Sequence, residues 1–257
     1  MKRLLNESLK TLTVTTLHPL GWSLTNLRRH LSGEKNVTVP TNPVQLAHEH
    51  ACPIVLVHGI FHNATAFYGL EKKLSARGFS MPRTIELWTS VDSLDAMIDQ
   101  FKSEVMRLYE VQRQQNIPGG VRIVAHSLGG MVVRAALLDE DFTRHIDKIV
   151  FLGTPHQGHP LYRLPIPKCL RSLTPGSPFM KRMNAEPLPA GIDYWNLRGG
   201  ILDFVTPLNQ TFLPHVNNVT FHHVGHAGLL VDHHVIQSVI SILETPKRDK
   251  NAPSAEK

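Results

Sequence analysis

Three short, almost wholly apolar runs limit what this chain can become: residues 52–57 (CPIVLV), 121–125 (VRIVA) and 149–152 (IVFL). Each is too short for a helix, is rich in β-branched residues and lacks the alternation of a strand with one wet face. Each therefore reads as a strand buried on both faces. The residues between them carry a different period. Residues 66–77 form an expected helix ended at Gly78, and 83–87 an expected strand. Leu94, Ile98, Phe101, Val105 and Leu108 then recur at steps of three and four behind Asp92, which can cap a long helix that Pro118-Gly119-Gly120 closes. The helical stretch MVVRAALL follows the second run, and residues 193–197 and 219–224 are weaker strand candidates. Strands alternating with helices imply parallel pairing through right-handed crossovers. The expectation is an α/β fold with a mostly parallel sheet and helices on both faces.

With 257 residues, 42% of them hydrophobic, the chain suits one core domain. We place that domain at residues 46–244, with a polar, disordered tail over 245–257. Residues 1–45 form an extension, expected to be helical, in which Leu4, Leu5, Leu9, Leu12, Leu17, Leu20 and Trp22 are mixed with Lys2, Arg3, Lys10, Arg28 and Arg29. Two readings of it stand: a segment packed on the domain, or a peripheral contact with a membrane surface. Residues 154–190 hold eight prolines and read as an irregular, lid-like insertion over one edge of the sheet. The opening residues offer no unbroken apolar stretch of a secretory signal, because Asn6, Glu7 and Lys10 interrupt it, and no segment reaches the roughly 18 apolar residues of a membrane span. The expected location is the cytoplasm, with membrane association left open. Cys52 and Cys169 match no metal spacing, and nothing points to their pairing.

The second strand candidate runs straight into His126-Ser127-Leu128-Gly129-Gly130 and then a helix. This is the context in which a serine is held on a sharp strand-to-helix turn above the carboxyl edge of a sheet. Small flanking residues let the neighbouring backbone approach: Gly129 and Gly130 on one side, and Ala125 where glycine is more usual on the other. A serine hydroxyl becomes nucleophilic when a histidine takes its proton, and that histidine needs an acid to fix its tautomer. The order serine, acid, histidine selects Asp203, in GGILDFVTP, and His226, in VGHAGLL. Asp193 competes from inside a strand and Asp232 from inside the last helix. His222 and His223 compete from within a strand, His233 and His234 from the helix. The group His222, His223, His226, Asp232, His233 and His234 lacks the spacing of a metal site. For a tetrahedral oxyanion, the amides of Leu128 and of Ile60, on the loop after the first strand, are the candidate donors. His58 on that loop reads as a brace.

The segments VLVHGIF, VAHSLGGMVVRAALL, FLGTPHQG, LTPGSPFM and VGHAGLL resemble the α/β-hydrolase superfamily, in particular its small bacterial lipase and esterase-like members. The resemblance spans residues 53–242 and implies Ser127, Asp203 and His226 as a catalytic triad with Ile60 and Leu128 as oxyanion amides. It implies a serine hydrolase acting on acyl or lipid esters through an acyl-serine intermediate. A phospholipase or acyltransferase with the same triad is the nearest alternative, and a noncatalytic lipid-binding homologue a more distant one. Phe61, as a substrate contact, and Leu161, Leu164, Leu170, Phe179 and Met180 either line an acyl groove or pack the insertion onto the core. No metal or nucleotide cofactor is implied, since neither glycine-rich segment is a phosphate loop. The net charge of +6 is a weak pointer to nucleic acid, and we expect no such partner.

Overall fold

The computed structural model describes residues 43–60, 62–80, 82–87, 93–159 and 168–246. Nearly all of the extension, the tail from residue 247, and Phe61, Asp92, Leu161 and Leu164 lie outside the described residues. Six strands form one sheet: β1 (Ile54–Val57), β2 (Pro82–Ile85), β3 (Val121–His126), β4 (Ile146–Leu152), β5 (Asp193–Gly199) and β6 (Asn217–Phe221). Their order is β2-β1-β3-β4-β5-β6, and all five pairings are parallel. Every strand therefore ends at the same edge.

The helices longer than a single turn are α1 (Pro43–Ala51), α2 (Tyr68–Ala76), α3 (Leu94–Gln114), α4 (Leu128–Ala136), α5 (Pro178–Ala185) and α6 (His233–Glu244). Strand residues alternate between two cores, one on each face. Val55, Val57, Ile123, Ala125, Ile149 and Phe151 meet Phe101 and Val105 of α3 and Met131 of α4. Ile54, Leu56, Val124, Val150 and Leu152 meet Leu70 and Leu74 of α2 and Val235 and Val239 of α6. This two-sided burial is why the three apolar runs show no alternation. No helix among the described residues is long and apolar enough to cross a membrane.

Local boundaries differ from expectation for identifiable reasons. The cap of α3 is Ser93, whose side chain accepts the Ala96 N–H. A 3-10 turn over Ala64–Phe67, capped by Asn63, precedes α2. Strand β6 stops at Phe221, so His222 and His223 lie beyond it. Asp232 is not inside the last helix but caps it, accepting from His234 and Val235 N–H. The described part of the expected insertion is ordered and packed, with a 3-10 segment (Lys168–Leu173) followed by α5. Leu170 and Met180 are buried in the same core as α3 and α4, and Phe179 packs against it, so these three side chains belong to the core. Arg134 of α4 fastens this segment by donating to the carbonyls of His156 and Met183 and to Asn184 Oδ1, and its burial lowers its pKa to about 10.

Candidate active site

Chain order fixes where a site can form. After β1 the chain places β2 on one side and β3 on the other, and in a parallel sheet that divergence opens a crevice at the carboxyl ends of the strands. The loop His58-Gly59-Ile60 leaves β1 at this point, and Ser127 leaves β3 beside it.

Ser127 is the turn itself. Its φ of 54° and ψ of −121° are outside the regions open to L-residues without strain, a conformation that costs on the order of 1–3 kcal/mol and persists where surroundings over-determine it. Those surroundings are visible. The Ser127 N–H donates to the Leu152 carbonyl at the end of β4, and its own carbonyl accepts the Gly130 N–H. Gly129 leaves no room for a side chain, because a Cβ there would stand 2.5 Å from the Val57 carbonyl oxygen. Ala125, by contrast, fits as a strand residue packed in the core.

Leu128 opens α4, and its N–H is among the first four of the helix, which have no intrahelical acceptor. The loop after β1 comes close: a Cβ on Gly59 would lie 2.9 Å from Ser127 Cβ. Ile60 follows on this loop, half-buried against the core. His58 holds the loop. Its Nε2 accepts the Leu87 N–H at 3.1 Å, so the proton sits on Nδ1, which donates to the Gly59 carbonyl at 2.9 Å. Burial lowers the pKa of His58 and keeps it neutral in this bracing role.

Asp203 sits on the turn after β5. Its Oδ1 accepts the N–H groups of Val205 and Thr206, and its Oδ2 accepts the Thr206 hydroxyl at 2.8 Å and faces His226 Nδ1 at 3.1 Å. Thr206 Oγ1 also lies 2.8 Å from His226 Nδ1. The Thr206 proton points at the carboxylate, so its oxygen accepts, and the Nδ1–H of His226 is shared between two acceptors. That arrangement fixes the tautomer, with the ring proton on Nδ1. Thr206 was not singled out by the sequence reading. The spacing Asp-x-x-Thr, in which a carboxylate caps the amide of a residue three places on, is the signal that could have found it.

The His226 ring packs 4.6 Å, centroid to centroid, from the ring of His126, the residue before Ser127, and His126 Nε2–H donates to the His226 carbonyl at 3.2 Å. His126 is buried, and burial together with the neighbouring His226 holds its pKa well below the ordinary histidine value. Three loops thus bring Ser127, Asp203 and His226 to one edge. The side-chain hydrogen bonds of His226 are both on Nδ1, and neither reaches Ser127. Three of the competing residues are engaged elsewhere. Asp193 accepts the Trp195 indole N–H and pairs with Lys148, His233 contacts Lys73, and Asp232 is a cap. Among the described residues, no three His, Cys, Asp or Glu side chains are grouped to hold a metal ion.

A family model described as the PGAP1-like alpha/beta domain matches residues 84–240, more than half of the chain. The chain belongs to the PGAP1-like alpha/beta family. In three dimensions this PGAP1-like chain is similar to the mature form of the lipase BlEst2 of Bacillus licheniformis, at 17% identity over 77% of this chain and 93% of that one, with a TM-score of 0.61. It is also similar to the lin2722 product of Listeria innocua, at 14% identity over 77% and 96% of the two chains, with a TM-score of 0.58. At such identities the likeness is one of fold, and the PGAP1-like domain has the α/β-hydrolase fold that the sequence motifs resemble. No curated protein matches the chain significantly.

Proposed function

We propose that this PGAP1-like protein is a serine hydrolase that cleaves carboxylic esters of acyl or lipid type through an acyl-serine intermediate. Ser127 is the nucleophile, His226 the general base and acid, and Asp203 the group that orients His226, with Thr206 as its second anchor. The observation that carries this reading is the strained backbone of Ser127 at the head of α4, at the same edge as an Asp203–Thr206–His226 chain whose acid is buried.

The steps follow from the positions of the protons. With Nδ1–H committed to Asp203 and Thr206, His226 Nε2 accepts the Ser127 proton as Oγ attacks the ester carbonyl, and contact between nucleophile and base tightens when substrate is held. The imidazolium is stabilised by the buried carboxylate. The negative charge on the former carbonyl oxygen is received by the amides of Leu128 and Ile60, each donor contributing about 3–4 kcal/mol where such donors have been removed. His226 returns its proton to the departing alkoxide. Water then repeats the sequence on the acyl-serine and frees the acid. We further propose that the protein acts in the cytoplasm and that its N-terminal extension contacts a membrane surface.

The test is labelling by a fluorophosphonate probe together with turnover of p-nitrophenyl esters of increasing acyl length. Labelling and turnover that disappear in Ser127→Ala support the reading. Wild-type protein that shows neither, or a variant that behaves like wild type, rejects it.

A further inference from the structure

The described residues expose seven large apolar side chains, and six of them fall within one stretch: Ile201, Leu202, Phe204, Val205, Phe212 and Val231. Four of the six bracket Asp203. The acid itself is buried, while Phe204 is 85% exposed and Ile201 73% exposed. The loop after β5 therefore has two faces. One holds the carboxylate inward against His226, and the other presents uncovered hydrocarbon at the rim of the site. Isolated exposed apolar residues are ordinary, but a contiguous group of them marks a contact surface.

Charge selects the occupant. Between Arg198 and Val231 the only acid is the buried Asp203, so this stretch exposes no carboxylate, and the chain as a whole carries a net charge of +6. Arg198, the full cation of this stretch, lies 5.6 Å from the centre of the exposed Phe212 ring. A second copy of the chain would set two such acid-free faces against each other. The N-terminal residues 1–42 are also cationic, with Lys2, Arg3, Lys10, Arg28, Arg29 and Lys35 against Glu7 and Glu34. Neither supplies the missing negative charge. An anionic phospholipid surface does, and protruding aromatic and aliphatic side chains free of carboxylates are what the boundary between headgroups and acyl chains accepts.

We infer that the Ile201–Val205 loop, with Phe212, is a docking surface for anionic phospholipid bilayers, inserting Ile201 and Phe204 between the headgroups. The consequence for chemistry rests on the hydrolase reading: docking sets the mouth beside Asp203 against the lipid surface. The docking itself does not depend on that reading.

Flotation of the full chain with phosphatidylcholine vesicles, with and without phosphatidylglycerol, tests the inference. Wild-type protein is expected to float with the vesicles containing phosphatidylglycerol, and less so with phosphatidylcholine alone or at high salt. The double variant Ile201→Ser, Phe204→Ser is expected to partition roughly a hundredfold more weakly, the order set by withdrawing two large apolar side chains. Its urea midpoint and fluorophosphonate labelling should equal those of wild type, which separates lost docking from lost chemistry. Should that variant fold poorly, Phe204→Trp provides the reading instead, through added indole emission that shifts to the blue on phosphatidylglycerol vesicles. Wild-type protein that stays unbound, a well-folded double variant that floats like wild type, a Phe204→Trp emission unmoved by vesicles, or a wild-type dimer that the double variant makes monomeric would each overturn it.

Discussion

The two edges of the sheet are both rich in buried polar groups, yet they are built on opposite principles. At the amino edge, Arg122, Lys148 and Asp193 lie side by side on β3, β4 and β5. Arg122 pairs with Glu49 of α1 and donates to the Leu243 carbonyl. Lys148 lies 3.4 Å from Asp193 and donates to the carbonyls of Ile242 and Thr245. Two cations thus face the end of α6, where the helix dipole and the last carbonyls welcome positive charge. Opposite charges meet, and the ends of the domain are tied to the middle of the sheet. The carboxyl edge carries a strained serine, helix amides without intrahelical acceptors, two histidines, His58 and His126, whose pKa burial lowers, and an uncovered apolar loop. One edge uses its polar groups to hold the fold, and the other holds its polar groups ready.

Exchanging roles between the edges is the sharpest way to break this comparison. Ser127→Ala should lower ester turnover by roughly 10⁴-fold or more while leaving the urea midpoint unchanged or slightly raised. Loss of both activity and stability would mean that the carboxyl edge is structural after all. Next in size, Arg122→Ala leaves Glu49 buried without its partner, and breaking such a pair costs about 3–5 kcal/mol. Urea unfolding should record that loss, whereas turnover per folded molecule should match wild type. A catalytic defect in the folded fraction would show that the edges are not independent.

Much of this contrast was legible in the sequence, but unevenly. The three apolar runs predict β1, β3 and β4 because two-sided burial leaves a direct imprint on composition. Ser127 stands out because an elbow needs small neighbours at fixed positions, and Asp203 and His226 because each follows a strand candidate in the required order. The contacts of Thr206 and His126 with His226 carry no such mark, because they form only when separate loops meet. The amino edge was unreadable for the same reason: Glu49, Arg122 and Lys148 are far apart in the chain and have no spacing to betray them. Part of the proline-rich insertion is helical, because proline marks where helices begin as well as where they cannot form. Pro178 sits in the first turn of α5, behind the capping Ser177.

A smaller effect probes how firmly the carboxyl edge is held. Thr206→Val keeps shape and removes the hydroxyl, so His226 Nδ1–H retains only Asp203 and the carboxylate loses one donor. The net value of one such hydrogen bond is about 1–2 kcal/mol, so kcat should fall roughly tenfold while KM stays near wild type. The base is then mispositioned rather than lost. Thr206→Ser, which restores the hydroxyl, should recover most of the activity, and a variant that fails to recover would assign Thr206 a packing role instead.

The finest distinction between the edges is their response to pH. His58 and His126 lie at the carboxyl edge and His156 just past the end of β4, and burial lowers the pKa of all three in the folded protein. Below the ordinary histidine value of about 6.5, the unfolded chain binds protons at these positions that the folded chain refuses, so stability must fall as the solution is acidified. At the amino edge, burial lowers Lys148 from 10.5 to about 8 despite the nearby Asp193. Between those two values the unfolded chain again holds the extra proton, so this group adds stability as pH rises. Both edges therefore favour the more alkaline side, but in separate windows. His156→Gln keeps a donor for Asn196 and cannot titrate. It should flatten the acid limb of a urea-derived stability profile by one proton, about 1.4 kcal/mol per pH unit at its steepest, and leave the window above pH 8 untouched. An acid limb of unchanged slope would mean that His156 already carries its proton in the fold, and that the carboxyl edge tolerates more charge than its burial implies.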